Sequence, residues 1–512
     1  MKNLKKTRLI RISAALLAVI MLCSLVACKK KYSDPTEQFV AAIEKLTAIK
    51  YNEKSGKDST AQLDIDAFDN KQVSVTLQPV ISDTLITMLG AELPFDVSVI
   101  NNASIGIDAA LKDEIAKLGL SLGYANSAVL AASGILDIAN LGAYVNISAG
   151  SAKPLFFDLK SLLESVDADV LGQINTSSSL TADEAKQLGK IINDYVKMTY
   201  AGVSGVEAGE ESYSVGELSA DVTSLTWNAT DKVVYDTAIA IAEKFVADQN
   251  LKTLLSKAFG ASYPEFDEEY ADLVDEVKEF LESEKSDPTV MTNSDVLTVI
   301  LYVDKNNDVM GIDVVARDTD GTVALNFNSG SLKVGDDFAF EMTAYGEDFA
   351  KMSLTAHGTN VKDIVNGTIS VSYDGKQIAA ITLKDCDSSK ADKGIYKGVI
   401  HVRPGSGLSS LPEIEPTMAI AIGMFGLNVE FDVKEDEADY FLSVEMNSAN
   451  LAGIKLHVEN GAADVITVPT DYVSEPIVWA MSLDFNAILT AIDNSELPDE
   501  IVNIIRSLLS QQ

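Results

Sequence analysis

VLTVILYVDKNNDVMGIDVVA, residues 296–316, contains the pattern that decides the fold of this chain. Two apolar runs of strand length, 296–303 and 309–316, flank a cluster of turn-forming residues, and this arrangement predicts an antiparallel hairpin. Further turn signals follow at Asp320-Gly321, Asp374-Gly375 and Asn460-Gly461. We therefore expect a long antiparallel β-meander from about residue 291 to 480.

Strands beyond this hairpin alternate with a period of two, as in a sheet with one covered face. On one strand Phe338, Phe340, Met342 and Ala344 share a side, and we expect Met352, Leu354 and Ala356 of the next strand to join them. The same alternation predicts strands near 63–67, 73–77 and 95–99. The predicted fold class is α+β, with large, curved, half-barrel-like antiparallel sheets packed with several helices.

Helix signals occur between the strands. Asp34-Pro35-Thr36-Glu37 combines an N-cap, a proline at the first helical position and an acid, and it predicts a helix over 35–50. The capping box Thr181–Glu184 predicts a helix over 182–199. The remaining predicted helices cover 157–172, 234–258, the very acidic 264–287, the surroundings of Ile488, Leu489 and Ile492, and 500–510 after Pro498.

The chain of 512 residues exceeds what one hydrophobic core usually organises, so we expect two lobes. The predicted segments are 1–27 as a signal peptide, 28–33 as a lipidated tether, 34–260 as an N-terminal α+β lobe, 261–290 as an acidic helical connector, 291–480 as a β-rich C-terminal lobe and 481–512 as C-terminal helices.

The N-terminus has the pattern of a bacterial lipoprotein signal. A basic start with Lys2, Lys5, Lys6, Arg8 and Arg11 precedes an apolar run over 12–26 that is too short to span a bilayer well. Leu25-Val26-Ala27-Cys28 resembles a lipobox, which signal peptidase II recognises. This resemblance implies that Cys28 receives a diacylglyceryl group and becomes the first residue, on the outer face of the bacterial cytoplasmic membrane. Two acyl chains are enough for stable anchoring.

The chain is strongly acidic, with 76 Asp and Glu against 40 Lys and Arg. Nucleic acid is therefore excluded as an expected partner, because binding it requires basic surface that releases counterions. Cys23 leaves with the signal and Cys28 is used for the lipid, so Cys386 remains alone and no intramolecular disulfide is expected.

One short stretch resembles the start of a calcium loop. Asp304, Asn306 and Asp308 have the spacing of its first ligands, but Val309 stands where a glycine is needed and Val315 where a bidentate glutamate is needed. A hairpin turn explains the same residues without metal, and we expect no metal here.

Motifs for catalysis or cofactor binding are missing from the sequence. His357, His401 and His457 are isolated and lie in strand-like runs, and neither a nucleophile elbow nor a P-loop is found. A hydrolase with paired carboxylates remains an open alternative, because only the distance between the carboxylates in space can show whether a pair is suited to catalysis. We predict no enzyme and no cofactor.

The chain resembles the LolA and LppX type of envelope lipid carrier in three features: a lipobox, a capped first helix over 35–50 and the antiparallel strands that follow it. They also resemble Gram-positive surface lipoproteins of uncharacterised families. The resemblance implies a curved sheet that cups an apolar or amphiphilic ligand beneath helices. No ligand-binding residue follows from it, since such carriers bind by cavity shape.

Two functions of different class follow from these expectations. A membrane-anchored binding lipoprotein predicts a pocket of several hundred Å³ lined by inward strand positions. An envelope interaction or structural lipoprotein without a small-molecule ligand predicts sheets packed solidly against the helices 234–258 and 500–510. We rank the binding lipoprotein first.

Overall fold

The computed structural model describes residues 34–47, 70–89, 96–159, 180–259, 263, 265–286 and 289–509, except for 126, 149, 319, 348 and 448. In these parts of the chain, nineteen β-strands form one antiparallel sheet. The strands are β1 (Lys71–Ile81), β2 (Ala103–Lys112), β3 (Ile115–Tyr124), β4 (Ser127–Asp137), β5 (Gly142–Ile147), β6 (Leu155–Asp158), β7 (Glu207–Val215), β8 (Leu218–Thr230), β9 (Asp295–Val303), β10 (Val309–Arg317), β11 (Val323–Val334), β12 (Asp337–Gly346), β13 (Phe349–Val361), β14 (Ile364–Tyr373), β15 (Lys376–Lys390), β16 (Ile395–Pro404), β17 (Phe425–Val433), β18 (Glu437–Met446) and β19 (Ala449–Ala462).

Ten α-helices accompany the sheet in the described residues. They are α1 (Pro35–Thr47), α2 (Asp83–Leu89), α3 (Ala182–Tyr200), α4 (Asp231–Ala247), α5 (Gln249–Phe259), α6 (Phe266–Ser286), α7 (Pro416–Gly423), α8 (Pro476–Met481), α9 (Phe485–Asp493) and α10 (Asp499–Leu509). The α+β class and the dominance of antiparallel strands are therefore confirmed.

Strand pairing follows the chain with one exception. From β7 to β19 each strand pairs with the next, and β19 then pairs with β1, which continues through β2 to β6. Leu77 of β1 lies opposite both Leu456 of β19 and Ile105 of β2. One sheet thus runs through both the 34–260 and the 291–480 segments, while their division into lobes and a half-barrel curvature stay predictions.

The hairpin over 296–316 is confirmed, with Val299 of β9 opposite Val314 of β10. The expected partnership between β12 and β13 is confirmed as well, since Met342 lies opposite Leu354 and Phe340 opposite Ala356.

Most predicted helices are also confirmed, and the caps explain where they begin. The Thr181 hydroxyl accepts a hydrogen bond from the Glu184 amide, and the Glu184 carboxylate accepts one from the Thr181 amide, which starts α3. The predicted helix 234–258 is divided at Asp248, whose carboxylate accepts a hydrogen bond from the Leu251 amide and begins α5.

Two predicted elements are wrong. Residues 97–102 form a 3₁₀ turn instead of a strand, because the Asp96 carboxylate accepts a hydrogen bond from the Ser98 amide and favours a turn. Residues 157–158 belong to strand β6 instead of a helix, since Phe157 pairs with Ala143 of β5. The strand predicted near 63–67 and most of the helix predicted over 157–172 lie outside the described residues.

The main core lies on one face of β8–β11, where α1, α3 and α4 cover the apolar side chains of the strands. Phe39 of α1 meets Trp227 of β8 edge to face, with ring centroids 6.1 Å apart. Helices therefore close this face at one end of the sheet.

The opposite face of the same strands is covered by the edge strand β7. The Tyr213 ring stacks on Tyr302 at 4.2 Å and occupies the space that a side chain on Gly311 or Gly330 would need. Burial raises the pKa of Tyr213 to about 12. The outer edge of β7 carries exposed Glu207, Glu210 and Glu211, which discourage pairing with another sheet.

Candidate functional site

The apolar face of the sheet is open at its other end. Large aliphatic side chains from β17, β18, β19, β2 and β3 remain between 37% (Val444) and 59% (Leu118) exposed. We call this surface the open apolar face; its members are Leu427, Leu442, Val444, Ile454, Ile105, Leu118, Leu120 and Leu122. Monomeric proteins rarely leave a contiguous apolar surface of this extent without a binding role.

The strand register makes this face continuous. Leu442 lies opposite Ile454, and on the far side of β1 Ile105 lies opposite Leu122. Between them β1 contributes Leu77 and Pro79 to the same side. Because side chains alternate between faces, every one of these residues points to the side that α1, α3 and α4 cover farther along the sheet.

Helices bound the open apolar face. At β4, Ile488 and Ile492 of α9 and Val502 of α10 form a small core that packs on Val129 and Leu130. Beside β17 stands α7, which touches the ends of β16 and β17. Helices α9 and α10 therefore bound the open apolar face at β4, and α7 lies at the strand ends beside β17.

A charged groove of about 660 Å³ lies on the opposite face of the same strands. Lys397, Asp432, Asp439, His457 and Thr76 form one cross-strand row of its lining. Val399, Glu430, Phe441, Lys455 and Gln78 form the next row. The groove has the size expected of a ligand pocket, and the apolar side chains of Val399 and Phe441 stand among the charged residues of its lining.

His457 is held by two carboxylates beside this groove. Its Nδ1 lies 2.7 Å from Asp439 Oδ1, and its Nε2 lies 3.1 Å from Glu459 Oε1. The hydrogen bond to Asp439, followed by that to Glu459, raises the pKa of the imidazole. The ring is thereby favoured in its charged form.

Replacing Asp439 with asparagine should lower the pKa of His457 toward the ordinary value of about 6.5. NMR titration of the imidazole measures this pKa, and Asp432→Asn is the control because Asp432 makes no bond to the ring. Since folding raises the pKa of His457, its contribution to stability is complete below about pH 6.5 and is lost as the pH rises through the raised pKa. An equal change in both variants would refute the specific role of Asp439.

A buried polar cluster adjoins the groove. Glu445 accepts a hydrogen bond from Arg403 at 3.0 Å, and its other oxygen lies 3.7 Å from Nδ1 of His401. Nearby, Asn428 donates to Glu430 at 2.9 Å. Among the described residues, the Asn428 Oδ1 and His401 Nδ1 atoms of this cluster are buried without a hydrogen-bond partner.

No protein-family model, curated protein or solved structure matches this chain. The two faces of the sheet are therefore the basis for a functional assignment.

The lipobox residues Leu25, Val26, Ala27 and Cys28 lie outside the described residues. Among those described, no helix is long and apolar enough to cross a membrane.

The turn at Asp304, Asn306 and Asp308 is built by hydrogen bonds of its own. The Asp304 carboxylate accepts from the amides of Asn306 and Asp308, both at 2.8 Å. Asp308 forms an ion pair with Lys45 of α1. The ammonium of Lys45 thus places a positive charge beside the carboxylate of Asp308. In the described part of the chain, no group of three His, Cys, Asp or Glu residues is arranged to hold a metal ion.

All three histidines lie in strands, as predicted: His357 in β13, His401 in β16 and His457 in β19. Sequence reasoning missed that two of them meet carboxylates from other strands: Asp439 of the adjacent β18 lies beside His457, and Glu445, two strands away, lies beside His401. Only the i, i+2 spacing of His457 and Glu459 could have indicated this, since Asp439 reaches the ring through the register of β18 with β19.

Proposed function

We propose that this chain is a lipoprotein anchored through Cys28 to the outer face of the bacterial cytoplasmic membrane. In this proposal it is a binding protein without enzymatic activity, and it holds an apolar or amphiphilic ligand on the open apolar face. The observation that carries the proposal is the run of half-exposed aliphatic side chains in register across neighbouring strands.

The dimensions of this face suit a hydrocarbon chain. Strands lie about 4.8 Å apart, so the distance across β17, β18, β19, β1, β2 and β3 is about 24 Å. An acyl chain in a bilayer leaflet extends over about half of the 30 Å hydrocarbon thickness. A chain laid across the strands therefore contacts leucine, isoleucine and valine along its whole length.

The chemistry of the face favours hydrocarbon too. Its defining residues offer no side-chain hydrogen-bond donor or acceptor, and each methylene moved from water onto it contributes about 0.8 kcal/mol. A polar headgroup would remain in solvent beyond the last strand that the chain crosses. The charged groove is separated from this site by the sheet itself.

The first test is to express residues 29–512 in a bacterial host and to analyse the protein by native mass spectrometry and organic extraction. A co-purifying lipid in stoichiometric amount would support the proposal and identify the ligand class. A protein that is empty and takes up neither phospholipid nor fatty acid would favour the alternative of an interaction or structural lipoprotein.

Substitution on the open apolar face should weaken binding of a fluorescent fatty acid. We expect the double variant Leu442→Gln/Ile454→Gln to raise the Kd at least tenfold, because it places two amides where methylenes make contact. Lys455→Gln is the matched control, since it adjoins Ile454 but points into the groove on the other face. Fluorescence titration measures both Kd values, and equal Kd values would place the ligand elsewhere.

A further inference from the structure

Helix α7 is a short apolar helix that stands exposed beside the open apolar face. Of its eight residues only Ala419 is buried, whereas Ile420 is 67% exposed. Met418, Ile422, Met424 and Phe425 are also exposed. A helix that is apolar on all sides normally lies in a protein core or in lipid.

The helix is held firmly in this position. A proline occupies its first turn, the Ala419 amide donates to the Glu415 carbonyl at 2.9 Å, and the Asn447 amide donates to the Met424 carbonyl at 3.2 Å. The 3₁₀ turn Ser406–Ser410 and the ends of β16 and β17 also contact the helix. These contacts hold the helix in a defined position in which its apolar side chains are exposed.

Charge is absent from this segment. Between Glu415 and Glu430 the chain carries no Asp, Glu, Lys or Arg. A stable protein interface buries about 800 Å² on each partner and has a polar rim, whereas one eight-residue helix offers a much smaller tip without charged side chains. At about 12 Å, the helix is also too short to cross a bilayer, so it matches the depth of one leaflet.

The proposed anchor supplies the partner for this tip, and in this respect the inference rests on the proposed function. Residues 28–33 separate the lipidated cysteine from Asp34, where the described chain begins, and six residues reach at most about 20 Å. The start of α1 is thus kept close to a lipid surface. The preceding Glu413 and Glu415 favour a zwitterionic surface over an anionic one.

We propose that α7 inserts into the outer leaflet of a bilayer and connects it with the open apolar face. Met424 and then Phe425 follow the helix, and Leu427 of β17 lies opposite Val444 of β18. A hydrocarbon chain leaving the leaflet along α7 meets this path without crossing a charged side chain. The anchor supplies membrane affinity, and α7 supplies the route for the ligand.

The insertion test uses the full chain in vesicles of brominated phosphatidylcholine, which quench tryptophan on contact. Ile420→Trp should add fluorescence that the vesicles quench, and Glu435→Trp, in the turn that follows β17, should add fluorescence that they do not quench. Quenching at both positions, or at neither while the protein is bound to vesicles, would overturn the inference.

Failure of the proposed anchor is recognised separately, because the protein would then not float with the vesicles. In that case an excess of vesicles is added to the unanchored chain: quenching at position 420 supports insertion, and its absence overturns the inference.

The transfer test compares the rate and the equilibrium of ligand binding. Ile420→Asn should slow the transfer of a fluorescent fatty acid from phosphatidylcholine vesicles about tenfold, since burial of this side chain in lipid is lost. The Kd of the same fatty acid in solution should stay within twofold, and Ile420→Leu should transfer at the original rate. An unchanged rate in Ile420→Asn would show that transfer does not use α7, whereas no binding by any variant would refute the proposed function.

Discussion

Leu301→Ala should lower the free energy of unfolding by about 2–5 kcal/mol. The side chain is fully buried in β9 and packs in the main core with Leu225, Val299 and Ile312. Its removal forfeits the burial of its methyl groups and leaves a cavity that α1, α3 and α4 fill only in part. Urea denaturation followed by tryptophan fluorescence, with Trp227 in the same core, measures the loss.

Leu442→Ala provides the matched control on the same face of the sheet. Leu442 is 50% exposed, so the same substitution should cost less than about 1 kcal/mol. Losses of similar size in the two variants would contradict the open apolar face, because they would mean that Leu442 is covered in solution.

Asp231→Ala should destabilise the protein by about 3 kcal/mol or more. The buried carboxylate lies at the start of α4 and accepts hydrogen bonds from the Thr292 amide and hydroxyl, both at 2.8 Å, and from the Asn293 amide at 2.9 Å. Removing it leaves these donors without an acceptor at the junction between α4 and β9. A shift of the urea midpoint without a change in slope is the expected result.

Asp236→Ala is the control for this variant. Asp236 lies on the same helix, but its side chain is exposed and pairs with Lys232 in the i, i+4 arrangement. The expected loss is below about 0.5 kcal/mol. If Asp231→Ala were equally mild, the junction would not depend on that carboxylate.

Local signals predicted local structure well. The capping box at Thr181, the turn residues of 304–308 and the alternation around Phe340 each depend on neighbours a few residues away, and the structure has the helix, the hairpin and the shared face in those places. The predictions were wrong where one polar side chain outweighed the local pattern. At residues 97–99 the alternation predicted a strand, but the Asp96 carboxylate caps a 3₁₀ turn. The pairing of strands that are far apart in the sequence has no such local signal.

The candidate sites depend on distant pairing. Periodicity predicted alternating strands from about residue 291 to 480, but the exposure of Leu442 and Ile454 follows from which helices cover which part of the sheet. The groove around His457 likewise requires β16, β17, β18, β19 and β1 to be adjacent. Alternation predicted that one face would be apolar, and it could not predict that this face would remain open at one end.

The position of β1 between β2 and β19 has a consequence for the order of folding. Lys71 pairs with Leu111 of the next strand along the chain and also with Ala462, which is synthesised only after β18. Hairpins such as β2–β3 can form as soon as they emerge, but the sheet becomes continuous only after β19 is made. Because contacts between residues far apart in the sequence form slowly, pairing of β1 with β19 is the expected rate-limiting step of folding.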